Sequence, residues 1–427
     1  MMTSSWRWPA LVGLFVALAL PVAAEEGGSS SDDPPPPAGE PQPGDGPTFG
    51  GPNAVENQLH EDQQAGRPLF DRIADWKSWL KDKRGIDLGL DYSAAYFGAS
   101  DSPGDDQSAS GMLRFLGSWD LVGRGKKNTG ALVWKVEHRH GYTDVPLFDF
   151  GFELGYAGFI APPISDAGLL LTNLYWRQRW REKRAITAVG GWVDATDYVD
   201  VYALSSPWTG FTNFSFSTGS NTIPVPNQGL GAAASAMLTK QLFVIGGLAD
   251  SNSDPGDPID GFDTLFNDRE YFKHIEFGWT PSLDRLYLDN LHVTFWHADE
   301  REGAGTPSGR GANFSFTRYL GGRWLPFVRG GWADDGGSVL QKSLSVGFGY
   351  QPVPGKNLLG VGLNWGEPNE STFAPGLDDQ YTAEVFYRWN VSREIALTPD
   401  LQYLKNPALN PDQDSIWVFG LRARLAL

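Results

Sequence analysis

The sequence predicts an all-β protein, a transmembrane antiparallel β-barrel of about 16 strands preceded by a short N-terminal helix. Three observations predict this fold class. From residue 86 to residue 427, apolar and polar residues alternate with a period of two. The connections between these alternating segments are in turn short and long. Beyond the first 24 residues, no segment approaches the ~20 consecutive apolar residues that a membrane-spanning helix requires.

The first 66 residues are predicted to lie outside the barrel. Arg7 precedes the apolar run "ALVGLFVALAL", and "PVAA" places small residues before a cleavage point after Ala24. We therefore interpret residues 1–24 as a secretory signal peptide. Residues 25–66 are rich in Pro and Ser and contain little to bury, so they are predicted to form a disordered spacer.

Composition excludes several functional classes. The chain has 34 basic and 51 acidic residues and a net charge of −17, so a nucleic-acid partner is not expected. It has no cysteine, which excludes disulfides and thiolate chemistry. The histidines show no convincing metal-ligand spacing, and we expect neither a metal nor a cofactor.

Residues 67–85 are predicted to form a short amphipathic helix. Leu69, Ile73, Trp76 and Leu80 recur at helical spacing, and Gly85 provides a stop signal. We expect this apolar face to pack on the chain that follows. A membrane-surface anchor is the alternative interpretation.

Residues 86–427 are predicted to form the barrel. The final segment, "SIWVFGLRARLAL", illustrates the pattern. Trp417, Phe419 and Leu421 fall on one face of a strand, and Arg422 and Arg424 fall on the other. In a closed barrel the first face would contact lipid, and the arginines would face an aqueous lumen.

The connections alternate in length along the chain. Short turns are predicted at "GRGKKNTG", "REKR", "TKQ", "SLDRLYLDN", "LGGR", "PVPGKN" and "NVSRE". Seven longer, mostly acidic connections lie between them, the longest from Asp194 to Gln228. Tight turns at one end and long loops at the other are typical of a porin.

Two segments resemble a known family. "WKVEHRHGYTD" (134–144) and "EIALTPDLQYLKNPALNPDQDSIWVFGLRARL" (394–425) are similar to the carbohydrate-selective porins of the OprB family, and the resemblance extends over roughly the whole chain from Leu69 onward. It implies a barrel in the bacterial outer membrane, monomeric or homotrimeric, through which monosaccharides such as glucose diffuse passively and selectively. Carbohydrates and outer-membrane lipid would be its partners.

The polar faces of the strands supply candidate pore-lining residues. In "VWKVEHRH", Lys135, Glu137 and Arg139 share one face. The alternation alone does not distinguish residues that contact sugar from residues that only keep the lumen wall hydrated. The resemblance favours sugar contact for Glu137 and Arg139. Further arginines on polar faces are Arg114, Arg177, Arg179, Arg388, Arg422 and Arg424.

The segment from Asp194 to Gln228 is the longest interruption of the strand pattern and follows the fifth predicted strand. Structureless loops of this length are usually functional. We expect it to fold into the barrel and narrow it, with Trp208, Phe211, Asn213 and Phe216 offering surface on which a sugar ring can stack. An external flap with aromatic residues packed on one another is the alternative.

Other functions stay open from the residues alone. An outer-membrane barrel enzyme that hydrolyses lipid would need a nucleophile site, and no fixed Ser and His arrangement marks one. A general diffusion porin and a soluble β-sheet lectin are the remaining alternatives. The acidic loop 250–263 has carboxylates that could bind calcium, but it lacks the ligand order of a helix-loop-helix site. We therefore interpret it as solvated, with calcium binding as the alternative.

Overall fold

A computed structural model describes residues 70–181, 185–353 and 356–427. The predicted signal peptide and spacer lie outside these residues. Within them, no helix is long and apolar enough to cross a membrane.

A helix, α1 (Asp71–Arg84), precedes the first strand and ends at Gly85, whose φ of +72° is left-handed. We expected its apolar face to be packed on the following chain, and this is wrong for most of it. Of the described residues of the predicted face, Ile73 and Trp76 are exposed, and only Leu80 is half-buried. Because one residue separates α1 from the first strand, the helix reaches only the nearby rim of the sheet, where Lys81 lies 3.3 Å from Asp87.

The remaining chain forms one closed sheet in which each strand pairs antiparallel with the next and the last pairs with the first. This confirms the predicted fold class. The strands are β1 Ile86–Ala99, β2 Gln107–Val122, β3 Thr129–Gly141, β4 Gly168–Trp180, β5 Ile186–Val193, β6 Gly229–Met237, β7 Leu242–Asp250, β8 Tyr271–Trp279, β9 Asn290–Ala298, β10 Gly309–Thr317, β11 Trp324–Asp335, β12 Leu340–Tyr350, β13 Leu358–Pro368, β14 Gln380–Asn390, β15 Ile395–Lys405 and β16 Ser415–Ala426.

Short helices lie in the connections. They are α2 Phe150–Glu153 and α3 Gly261–Asp263, a π turn at Thr264–Asp268, and 3₁₀ turns at Ala195–Asp197, Phe214–Phe216, Thr218–Asn221, Leu283–Arg285 and Glu302–Ala304.

The two faces of the strands differ as the alternation predicts. Leu421 is 51% exposed on the outer wall, whereas the neighbouring Arg422 is 2% exposed inside the barrel. Exposed aromatic rings lie near both ends of the outer wall, where amphipathic rings suit a membrane interface. They include Trp119, Trp180, Trp324 and Trp389 at one end and Tyr96, Trp332, Tyr381 and Trp417 at the other.

Short connections lie at one end of the barrel, which we call the turn end. The long connections lie at the other, which we call the loop end. The seven predicted long connections all lie at the loop end. An eighth connection at that end, residues 336–339 between β11 and β12, is short and was not predicted. Asp335, Gly336 and Gly337 have φ of 58°, 75° and 78°, and this left-handed run reverses the chain tightly.

The two faces of β16 give a test of the wall. We expect Leu421→Arg to weaken assembly in lipid by about 2 to 4 kcal/mol if the site lies near the midplane, because it places a charge in hydrocarbon. Arg422→Ala, as the control, should still assemble. Heat-modifiable mobility on gels after refolding into vesicles measures assembly. Equal defects in both variants would contradict the assigned faces.

Candidate functional site

The segment after β5 lies inside the barrel, as the sequence predicts for this loop. We call residues 194–228 the inner loop. Most of its side chains are buried, and its backbone makes only short 3₁₀ turns. Since it has no regular ladder of its own, side chains of the barrel wall must satisfy much of its main chain.

Arg329 of β11 fastens the inner loop at two places, Asp200 and the Phe216–Ser217 pair. Its buried guanidinium donates to the carbonyl oxygens of Phe216 (3.2 Å), Asp200 (2.9 Å) and Ser217. It also pairs with the Asp200 carboxylate and lies 4.2 Å from the centre of the Tyr202 ring. A charge buried in this way is stable only because it is paired and fully hydrogen-bonded.

Asp200 is held from the opposite side as well. Its carboxylate lies 2.9 Å from His292 Nε2 on β9 and accepts from the backbone N–H of Gly219 at 2.9 Å. Its own N–H donates to Glu276 of β8 at 3.0 Å. Asp200 has a left-handed φ of 52°, a conformation that these contacts fix.

Two predicted arginines hold the tip of the inner loop by its backbone. Arg388 donates to the carbonyl oxygen of Thr209 at 3.3 Å. Arg422 donates to the carbonyl oxygens of Gly210 (3.1 Å) and Pro207. These guanidinium groups therefore act on the loop, and their contact with sugar stays a prediction.

Acceptors on the wall complement these donors. The Glu384 carboxylate on β14 accepts from the backbone N–H groups of Thr212 (2.7 Å) and Asn213 (3.0 Å). Gln402 on β15 accepts from the Asn213 amide at 3.2 Å and donates to the Thr212 hydroxyl at 2.9 Å. Asn213 is thus a structural residue of the loop and offers no surface to a sugar.

Phe211 and Phe216 were expected to offer stacking surface, and this is wrong because both are fully buried. Their rings lie 4.8 Å apart, and Phe211 contacts Phe386 of β14 at 4.9 Å. Glycines on the inner wall make this possible. A Cβ added at Gly362 would lie 2.7 Å from the Phe216 ring.

Lys135 lies at the base of the inner loop among three carboxylates. Its ammonium group is 3.0 Å from Asp194, 3.9 Å from Asp197 and 4.0 Å from Glu137. Glu137 in turn pairs with Arg139 at 2.7 Å. The predicted common face of Lys135, Glu137 and Arg139 is therefore an ion-pair ladder joined to the loop.

A second charged cluster lies where β1 meets β2 and β16. Asp91 is 2.8 Å from Arg114 and also accepts from Arg424. The half-buried Trp208 ring of the inner loop stacks on Arg114, with 4.7 Å between the guanidinium carbon and the ring centre. The loop tip thereby contacts the wall at β2, three strands away from β5.

Arg177 and Arg179 also face inward, on β4, but they lie nearer the turn end than Lys135 and its carboxylates. Arg179 pairs in register with Thr129 at the turn end of β3, whereas Lys135 pairs with Asn173. Six residues of strand correspond to about 20 Å. These two arginines therefore line the wall towards the turn end of the barrel.

Sequence reasoning missed Asp91, Asp200, Glu384, Gln402 and Arg329 as residues of the site. The signal available for those on strands was their position on the polar face. That face identifies a lumen residue but does not identify its partner in the loop.

The acidic loop 250–263 is expected to be solvated, but its first residue is not. Asp250 is buried and accepts from Ser253 (2.6 Å) and from the N–H of Asn252 (3.1 Å). Its carboxylate caps the turn at the end of β7. Among the residues that the structure describes, no group of three or more His, Asp and Glu is arranged to hold a metal ion.

Removing the Arg329 charge should release the inner loop. We expect Arg329→Met to raise ion conductance and protease cleavage within residues 194–228, because it leaves Asp200 buried without its cation, at a cost of about 3 to 5 kcal/mol. Arg310→Met, at an exposed outer arginine, is the matched control. Unchanged conductance and cleavage in Arg329→Met would show that the loop is held without this contact.

Asp197 gives a pH dependence. Burial raises the pKa of Asp197 to about 7, against the opposing attraction of Lys135. The folded protein therefore keeps this proton where the unfolded chain has lost it, and stability falls as pH rises from about 4 to 7.

We expect the ionisation of Asp197 to add one negative charge to the lumen near neutral pH. The cation preference of the channel should increase between pH 6 and 8, and Asp197→Asn should abolish this step. The reversal potential in a KCl gradient measures it. The same step in Asp197→Asn would assign the titration to another group.

Comparisons with known proteins agree with this architecture. The family model described as carbohydrate-selective porin, OprB family, matches residues 160–320 and 317–427. The high-pH structure of Pseudomonas putida OprB is 16% identical, with a TM-score of 0.67 over 83% of this chain and 97% of that chain. The low-pH structure is 15% identical, with a TM-score of 0.50 over 85% and 100%. No curated protein is significantly similar in sequence.

Proposed function

The chain belongs to the carbohydrate-selective porins of the OprB family, and on that premise we propose that it lets monosaccharides such as glucose diffuse passively and selectively across the bacterial outer membrane. No chemical step is part of this function. The apolar outer wall with its two zones of aromatic rings supports placement in a membrane.

One observation carries the proposal: the inner loop is fastened across the lumen by buried contacts to several strands. Arg329 holds it at β11, Glu384 at β14 and Arg422 at β16. A loop held in this way fixes the size and chemistry of the passage. Selectivity in a pore comes from its diameter and from the donors and acceptors that line it, so a fixed passage of this kind supports a selective channel.

The chemistry around the inner loop suits a neutral sugar. Guanidinium groups donate to hydroxyl groups and carboxylates accept from them. The Arg139 side chain is 13% exposed and can replace part of a sugar's water directly, whereas Glu137, at 3%, can do so only when the sugar opens its pair with Arg139. The half-buried Trp208 adds a ring face for the apolar side of a pyranose. Since Glu137 and Arg139 already pair with each other, a sugar must compete with that pair, which keeps binding weak and release fast.

Liposome swelling tests the proposed function. Vesicles containing the protein should swell rapidly in glucose and progressively more slowly in di- and trisaccharides, because the fixed loop limits size. Vesicles without protein are the control. Swelling rates that follow molecular size alone, with no preference for sugars over other neutral solutes of the same size, would favour a general diffusion porin. No swelling in glucose would overturn the proposal.

Glu137 and Arg139 should act on sugar selection more than on assembly. We expect Glu137→Gln and Arg139→Ala to weaken glucose block of single-channel current about two- to tenfold, as expected for loss of one hydrogen-bonding partner. Arg310→Ala is the matched control, and all variants should retain heat-modifiable mobility. If both variants are blocked by glucose as strongly as the parent protein, the pair lines the lumen without contacting the sugar.

A further inference from the structure

Five phenylalanines from three different connections meet at the loop end of the barrel. They lie between β3 and β4, in the inner loop, and between β13 and β14, and each is half-buried. We call them the phenylalanine strip: Phe148, Phe152, Phe159, Phe214 and Phe373.

The rings of the strip form a continuous series. Phe159 is central, with ring centres 5.0 Å from Phe148, 5.2 Å from Phe152 and 5.6 Å from Phe214. Phe373 extends the series from Phe152 at 6.3 Å. The contacts are tilted or edge-on, and every residue of the series stays partly exposed.

The strip leads from the rim to the inner loop. Towards the rim, Phe152 adjoins Glu153, whose carboxylate accepts from the exposed Asp105 N–H at 3.1 Å. At its inner end Phe214 lies within the inner loop, and its N–H donates to the Phe159 carbonyl at 2.9 Å. The next carbonyl, that of Ile160, accepts from a wall residue, so this end reaches the lumen wall.

Simple packing explains other aromatic residues of the same loop but not these. Phe211 and Phe216 are fully buried, Phe216 against Gly362 and Phe211 against the rings of Phe216 and Phe386. Phe214, between them in sequence, points away from that core and stays half-buried. Partly exposed rings held in a fixed row, with carboxyl groups beside them, are the composition of a site that binds a ring with both apolar and hydroxylated sides.

We propose that the phenylalanine strip is a carbohydrate-binding site at the loop end, where the ring of a neutral pyranose docks before it reaches the inner loop. The carboxyl groups of Asp149 and Glu153, next to the strip in sequence, would accept from the sugar hydroxyls. The inference rests on the proposed function. It adds a loading site separate from Glu137 and Arg139.

The test uses single channels of known orientation in a planar bilayer, with sugar added to one side at a time. The measured quantity is the rate at which glucose enters and blocks the ion current. In Phe159→Leu and Phe152→Leu, this rate should fall about two- to tenfold for glucose added at the loop end, the range expected for loss of one stacking contact. Glucose added at the turn end should enter at the parent rate. Phe159→Tyr, which keeps the ring, should behave as the parent.

Two controls separate the strip from general effects. Phe266→Leu, at an exposed phenylalanine of the connection between β7 and β8, should leave entry from both sides unchanged. Sorbitol, an open-chain polyol without a ring face, should enter Phe159→Leu and the parent at the same rate. A change in ion conductance would show that the variant has disturbed the inner loop, so the comparison then passes to Phe152→Leu and to Phe373→Leu.

The outcomes distinguish this proposal from the proposed function. If the parent channel admits glucose and the variants admit it from the loop end at the parent rate, the strip only packs the loops together and the proposal is overturned. Equal slowing from both ends would also overturn it. If the parent does not admit glucose, the proposed function itself fails.

Discussion

Hydrocarbon offers no hydrogen-bond partners, so every strand that crosses it must pair on both sides. In this chain the requirement is met by pairing β1 with β16, which brings Ala99 opposite Val418 after more than three hundred intervening residues. Closure creates an interior that is walled by side chains alone. A segment without its own ladder can enter that interior only if those side chains satisfy its backbone, and this condition accounts for the chemistry of the inner loop.

The interior charges divide into two groups by what they contact. Arg329, Arg388 and Arg422 contact carbonyl oxygens of the inner loop and locate it. Lys135 and Arg114 contact carboxylates along β1 to β5 and around the start of the loop. Desolvation penalises both groups unless they are paired, so each charge is fixed in position. The result is a lumen with oriented donors and acceptors.

Much of the fold could be predicted because alternation determines the face of every strand residue at once. Arg422 and Leu421, and the length pattern of the loops, follow from that rule. Partners across the lumen could not be predicted, since the pairing of Arg329 with Asp200 joins a strand to an irregular loop that has no period. The burial of Phe211 and Phe216 was missed for a related reason. Phe216 packs on Gly362, which in sequence resembles an ordinary small residue of a polar face, and Phe211 packs on Phe216 and Phe386.

The way in which the tip of the inner loop is held has a consequence for how such channels diverge. Arg388 and Arg422 bind main-chain oxygens at Thr209, Gly210 and Pro207. Every residue type supplies that oxygen, so the anchors impose little demand on which side chains stand at these positions. Substitutions at Pro207 and Thr209 can therefore accumulate while the path of the backbone is retained. Gly210 is the exception, because a Cβ there would lie 2.6 Å from the Leu204 carbonyl oxygen. A lineage could acquire a new permeant molecule by drift in a few loop side chains, with the barrel and its fastenings unchanged.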